Sequence, residues 1–141
     1  RHYRRQRQMC IRDSSTTADL TRTINFVIDA GSAPMSSGIK GEMTLDVTGE
    51  LQAWTIIGDQ DGQIQLDIKK VDYANFPNFA SICGNERPQL GDIASNSVER
   101  KNTNTTISSW NRALNAGDIL QFEVVYAINI QRCMVSLKLA L

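Results

Sequence analysis

Apolar residues along this chain recur at every second position far more than at helical spacing. Ile39, Gly41, Met43, Leu45 and Val47 alternate with Lys40, Glu42, Thr44, Asp46 and Thr48, the pattern of a strand with one buried and one solvated face. Ile24, Phe26 and Ile28 share a face between Thr23 and Asp29, and Ala30-Gly31-Ser32-Ala33-Pro34 then breaks the run. From Leu51 to Ile57 the apolar residues Ala53, Trp54, Ile56 and Ile57 crowd together, which predicts a strand covered on both sides. Gly58-Asp59-Gln60-Asp61-Gly62 is expected to turn the chain back, with Asp61-Gly62 supplying the turn angles. Ile64, Leu66 and Ile68, alternating with Gln63, Gln65, Asp67 and Lys69, would then close a hairpin.

The C-terminal third repeats the pattern. Asn115-Ala116-Gly117-Asp118 is a turn in which Gly117 supplies a positive φ without steric cost, and Leu120, Phe122, Val124 and Tyr126 follow on one face with Gln121 and Glu123 on the other. A last strand, with Cys133, Val135, Leu137, Leu139 and Leu141 inward and Arg132, Ser136 and Lys138 outward, is expected to pair with it through Ala127-Ile128-Asn129. Between these regions Ala80 to Cys83 suits a short strand, while Ile93–Ser97 and Asn102–Ile107 suit edge strands or long loops. Helical signals are scarce, with one short turn expected near Ser108–Leu114. The fold class is therefore all-β, an antiparallel jelly-roll-like β-sandwich of about eight strands with little helix.

The 141 residues suit one domain able to bury a core without staples. Formal charge is zero, yet five of the 15 basic residues and one of the 15 acidic ones lie in the first thirteen positions. The rest holds 10 and 14, a net charge of −4. So acidic a body lacks the footprint of a nucleic-acid binder, and no apolar run is long enough for a membrane span. Arg5-Gln6-Arg7-Gln8-Met9-Cys10-Ile11-Arg12-Asp13-Ser14 resembles a translated sequencing-adapter leader. Residues 1–14 are accordingly expected to be a non-native, disordered leader, and 15–141 the domain.

Chemistry is sparse. The sole histidine, His2, falls in that leader, which leaves the body without an imidazole base for a nucleophilic triad. Cys83, at a loop edge beside Gly84-Asn85, and Cys133, within the last strand, read as free thiols. Asp59 and Asp61 are weak candidates for a metal, because the stretch lacks the ligand spacing and helices of a calcium loop. Glu42, Asp46, Asp67, Glu86, Glu99 and Glu123 could formally furnish a glycosidase pair, but most alternate with apolar residues on solvated faces. Trp54 and Trp110 read as core packing. Tyr73-Ala74-Asn75-Phe76-Pro77-Asn78-Phe79 reads as a structured loop in which Tyr73, Asn75, Phe76, Asn78 and Phe79 form the candidate binding surface.

Taken in order, Ile24–Ser32, Gly38-Ile39-Lys40-Gly41, Trp54-Thr55, Gly58–Gly62, Asp72–Pro77 and Ala116–Phe122 resemble a domain recurrent in bacteriophage tail and tail-fibre proteins and environmental viral sequences. The resemblance spans residues 23 to 141. It implies a non-enzymatic virion domain with a structural or host-attachment role and no cofactor. The expected assembly is a homo-oligomer, a trimer by preference, alongside other virion proteins and a host surface glycan. Its place would be the tail, extracellular after release. Members of that group carry a Trp-Lys pair where this chain has Ile68-Lys69-Lys70, so no role tied to that aromatic carries over. The alternative is a monomeric carbohydrate-binding module of a larger protein.

Overall fold

The computed structural model describes residues 20–141. The leader expected over residues 1–14, with His2 and Cys10, and residues 15–19 of the expected domain lie outside the described residues. Nine strands form among the described residues. They are β1 (Thr21–Asp29), β2 (Gly38–Thr44), β3 (Gly49–Val71), β4 (Ala80–Ser81), β5 (Gln89–Leu90), β6 (Glu99–Asn104), β7 (Ala113–Leu114), β8 (Ile119–Ile128) and β9 (Arg132–Ala140), and a single 3₁₀ turn at Tyr73–Asn75 follows β3. No helix among the described residues is long and apolar enough to cross a membrane.

Every strand pairing is antiparallel. The first half of β3 lies between β9 and the broken edge β6/β7, and β1 flanks β9. The second half of β3 lies between β8 and the broken edge β4/β5, and β2 flanks β8. When the two halves of β3 are counted separately and each broken edge as one strand, the sheets interleave early and late strands in the double Greek-key order of a jelly roll. Leu51, Ile56, Leu66, Ile68, Leu120, Phe122, Val135 and Leu137 fill the space between the sheets. Phe26 of β1 stacks on Phe122 of β8 with centroids 4.1 Å apart, tying one sheet to the other.

The hairpin expected at Gly58–Gly62 does not form. β3 runs unbroken through it, and the segment is a corner where the strand passes from one sheet into the other, marked by a register shift between Ile57 and Gly62. The support is non-local. Asp59 Oδ1 accepts the N–H groups of Gln131 (3.1 Å) and Arg132 (3.2 Å), and Gln60 Nε2 donates to the Asn129 carbonyl. Gly62 is required by close approach, since a Cβ there would lie 2.5 Å from the Ile128 carbonyl oxygen. Residues 129–131 form the complementary corner, with Asn129 at φ 64°. For that reason β8 and β9, expected to pair with each other, instead flank opposite halves of β3.

Smaller departures have local causes. A bulge between Ile39 and Gly41 turns Ile39 outward, 57% exposed, and β2 ends at Thr44. A bulge between Leu51 and Ala53 lets Leu51, Ala53, Trp54 and Ile56 all face inward, while Ile57 is exposed, so this segment is covered on one side only. Gln121 is buried rather than solvated, because β8 is a central strand and Glu42 accepts its amide at 2.9 Å. Leu141 is exposed, and Ile93–Ser97 holds only an isolated bridge between Asp92 and Ser97. The turn before β8 has the expected form. Gly117 sits at φ +94°, its N–H donates to Leu45 O at 2.8 Å, and Asp118 Oδ2 accepts the Asn115 N–H at 2.8 Å.

Candidate functional site

On one side of the jelly roll both sheets end in interrupted strands, and the excursions that interrupt them meet. The chain between β4 and β5 carries Glu86, whose backbone carbonyl accepts the indole N–H of Trp54 at 3.2 Å and of Trp110 at 2.7 Å. Its carboxylate accepts the Ser109 hydroxyl at 2.6 Å and N–H at 2.7 Å, and the Asn104 amide at 3.3 Å. Those bonds, the Ser109 hydroxyl and N–H foremost and the Asn104 amide after them, outweigh slight desolvation and hold the carboxyl below its ordinary value. Both tryptophans are thus buried structural residues, as expected of them.

Above this seam lies a cleft of about 410 Å³ lined by Trp54, Gln65, Gly84, Asn85, Glu86, Arg87, Gln89, Asn102, Thr103 and Asn104. Its amides come from three separated segments. Asn104 and Asn102 are register partners of Trp54 and Ile56, so their side chains point toward the gap between the sheets, and Gln65 is the register partner of Gln89. Arg87 Nη1 donates to Gln65 Oε1 (3.4 Å), Gln65 Nε2 to Gln89 Oε1 (3.1 Å), Gln89 Nε2 to Gly91 O (3.1 Å), and Asn102 Nδ2 to Gln89 O (2.9 Å). The Arg87 charge faces buried Asp67 with Nε 3.6 Å from Oδ1. Sequence reading singled out none of these amides, since Gln65, Gln89 and Asn102 become neighbours only through sheet topology. The inward parity of Asn102 and Asn104 with the apolar residues of β3 is the one signal that points to them.

The candidate loop lies elsewhere on the surface. Asp72 caps its 3₁₀ turn, Oδ1 accepting Asn75 N–H at 2.9 Å and Asn75 Nδ2 at 2.7 Å. Phe76 precedes a cis Pro77 and meets Phe79 edge to face at 5.7 Å. Tyr73 is 82% exposed and Phe76 53%, Asn75 and Asn78 are exposed, and Phe79 is half-buried beneath them. The five residues are therefore brought together, with Tyr73 and Phe76 outward.

The remaining candidates, Asp61 apart, are paired with groups elsewhere in the fold. Asp59 binds the opposite corner. Partial burial pushes its carboxyl up, but the N–H groups of Arg132, Gln131 and Asp59 itself, with the Arg132 charge, outweigh this and leave it below the ordinary value. Asp61 is exposed beside it. Glu42 accepts Gln121, Asp46 faces Arg22 at 3.8 Å, Asp67 accepts Ser81 Oγ at 2.6 Å, Glu99 accepts the Gly91 N–H at 2.8 Å, and Glu123 pairs with Lys69 at 2.8 Å. Cys83 lies in the core rather than at a loop edge, its Sγ donating to Ile68 O at 3.7 Å. It and Cys133 are free thiols, each pushed up to about 12, chiefly by burial. At that value neither supplies a thiolate nucleophile near neutral pH.

No known protein family matches the sequence, and no curated protein does. Among solved structures the chain is similar to the SPBc2 prophage-derived protein YomS, at 15% identity over 89% of this chain and 99% of that one. The TM-score is 0.36, a superposition too loose to carry a function from one to the other.

Proposed function

We propose that this chain is a non-enzymatic jelly-roll domain of a bacteriophage tail or tail fibre, assembled as a homotrimer in the virion and serving structure and host attachment. The observation that carries this reading is the loop Tyr73–Phe79. A capped turn holds two exposed aromatic rings and two exposed amides clear of the sheets, and such loops on rigid scaffolds are where proteins place contact residues. The sequence resemblance to tail proteins supports it, since Gly58–Gly62, Asp72–Pro77 and Ala116–Phe122 prove to be the corner, the capped loop and the turn that build this architecture. Jelly rolls also recur in viral and lectin domains. Light scattering on the full chain is expected to give three times the 15.7 kDa protomer mass, and the flanking genes are expected to encode tail or capsid assembly proteins. A monomer flanked by cellular metabolic genes would overturn the reading in favour of a carbohydrate-binding module of a larger protein, which the amide-lined cleft would serve equally well.

A further inference from the structure

We infer that the cleft over the seam between β5 and β6 is a binding site for one neutral sugar ring, separate from the contact surface of the aromatic loop. The inference rests on the attachment reading for its biological use, while the contact itself stands on the cleft. A volume of about 410 Å³ lies within the span of small-molecule sites. The lining selects the chemistry. Gln65, Gln89, Asn102 and Asn104 present amides, each able to donate and accept, as sugar hydroxyls do. The Arg87 charge faces the Asp67 carboxylate, and Glu86 also lines the cleft, so no excess positive charge awaits an anion. Trp54, although it forms part of the floor, is buried and its N–H is already taken, leaving no open ring on which an apolar ligand or nucleobase could stack.

The groups are also oriented before any ligand arrives, and that reduces the ordering cost of binding. The run of bonds from Arg87 through Gln65 and Gln89 to the Gly91 carbonyl fixes which edge of each amide faces the cleft. Arg87 Nε is buried against Asp67 Oδ1 at 3.6 Å, and this ion pair holds the guanidinium that orients Gln65. One group is left over. Asn85, exposed at the rim, makes no hydrogen bond to another described residue. A sugar hydroxyl set at the rim would pair with it. A single shallow site of this kind binds weakly, and its use in attachment would come from several copies engaging one surface.

The test is a titration of the ¹⁵N-labelled full chain with D-galactose, D-glucose, D-mannose and N-acetyl-D-glucosamine, with N-acetylneuraminic acid as the anionic comparison. At least one neutral sugar is expected to shift the side-chain amide signals of Gln65, Gln89 and Asn102 and the Trp54 indole signal, and the anionic sugar to shift none. Asn85→Ala, which removes no bond to the described fold, and Arg87→Lys, which keeps the charge beside Asp67 but loses the planar fork, are each expected to weaken binding by about tenfold. Lys138→Ala, at an exposed position outside the cleft lining, is expected to leave it unchanged. Four silent neutral sugars, shifts confined to the 73–79 loop, binding of the anionic sugar alone, or unaltered affinity in both cleft variants would each overturn the inference. Silent sugars with a trimer and tail-gene neighbours would remove the cleft site and leave the attachment reading standing. Cleft binding by a monomer flanked by metabolic genes would do the reverse.

Discussion

Replacing Asp59 asks whether the corner of β3 is held from outside, as its geometry says. Asp59→Ala removes the acceptor for the Gln131 and Arg132 N–H groups at 3.1 and 3.2 Å. A hydrogen bond to a charged partner is worth about 1.5–3 kcal/mol when well formed. These two are at the long end of the range and share one partly solvated oxygen, so the combined loss is expected to be about 1–2 kcal/mol. Asp59→Asn keeps a neutral acceptor and should cost about half that. The charge makes the difference pH-dependent. The folded pKa lies below the ordinary 3.8, so the carboxylate contributes stability above the unfolded value and loses it as pH falls through the folded one. Urea melts of wild type and Asp59→Asn, followed by tryptophan fluorescence, should therefore show a gap that is full well above the ordinary 3.8 and closes as the pH falls below it. Other carboxylates titrate alike in both proteins and cancel. A gap that ignores pH, or Asp59→Ala melting within about 0.3 kcal/mol of wild type, would refute the claim that Asp59 pins the corner.

Four further outcomes are expected. Gly117→Val should cost about 1–2 kcal/mol through backbone strain alone, because the site has a positive φ and open space around it; Gly62→Ala should cost about 1–3 kcal/mol for the opposite reason, a clash with a backbone oxygen. An unchanged melting temperature in either would contradict its argument. Phe122→Ala, which empties the stacked pair between the sheets, is expected to lose about 3–5 kcal/mol, measured by urea titration, and a loss below 1 kcal/mol would mean the sheets are not packed through it. In a Cys10→Ser background the two remaining thiols should resist a thiol-specific dye in the native state and react on unfolding, since burial pushes both to about 12; prompt native labelling would show the core to be open.

What could be read in advance followed from whether a residue's fate is decided by its neighbours in sequence. The alternation from Leu120 to Val124 and from Cys133 to Leu139, and the positive φ at Gly117, are local matters and appear as expected. The Gly58–Gly62 corner is ambiguous in the sequence because Asp-Gly supplies turn angles in a hairpin and close clearance in a crossing strand alike. What decides between them is Asp59 meeting residues 72 and 73 positions away. The same holds for β8 and β9, whose short link looks like a hairpin until β3 enters between their paths. Of the candidate site, the loop from Tyr73 to Phe79 was visible because its residues are contiguous. The cleft was not, since polar residues on three segments look like solvated strand faces until the sheet edges bring them together.

The central position of β3 bears on when this chain can fold. Among the described residues β1 meets the body of its sheet only through β9, and β2 only through β8. During synthesis, therefore, the first two strands leave the ribosome before their only sheet partners exist, and β3 waits with one flank of each half unpaired until the last strands appear. Nearly all of the β-structure must then close in one late event dominated by long sequence separations, which makes folding slow and cooperative and leaves the nascent β3, 23 residues long, as the segment most in need of protection from pairing with another copy of itself.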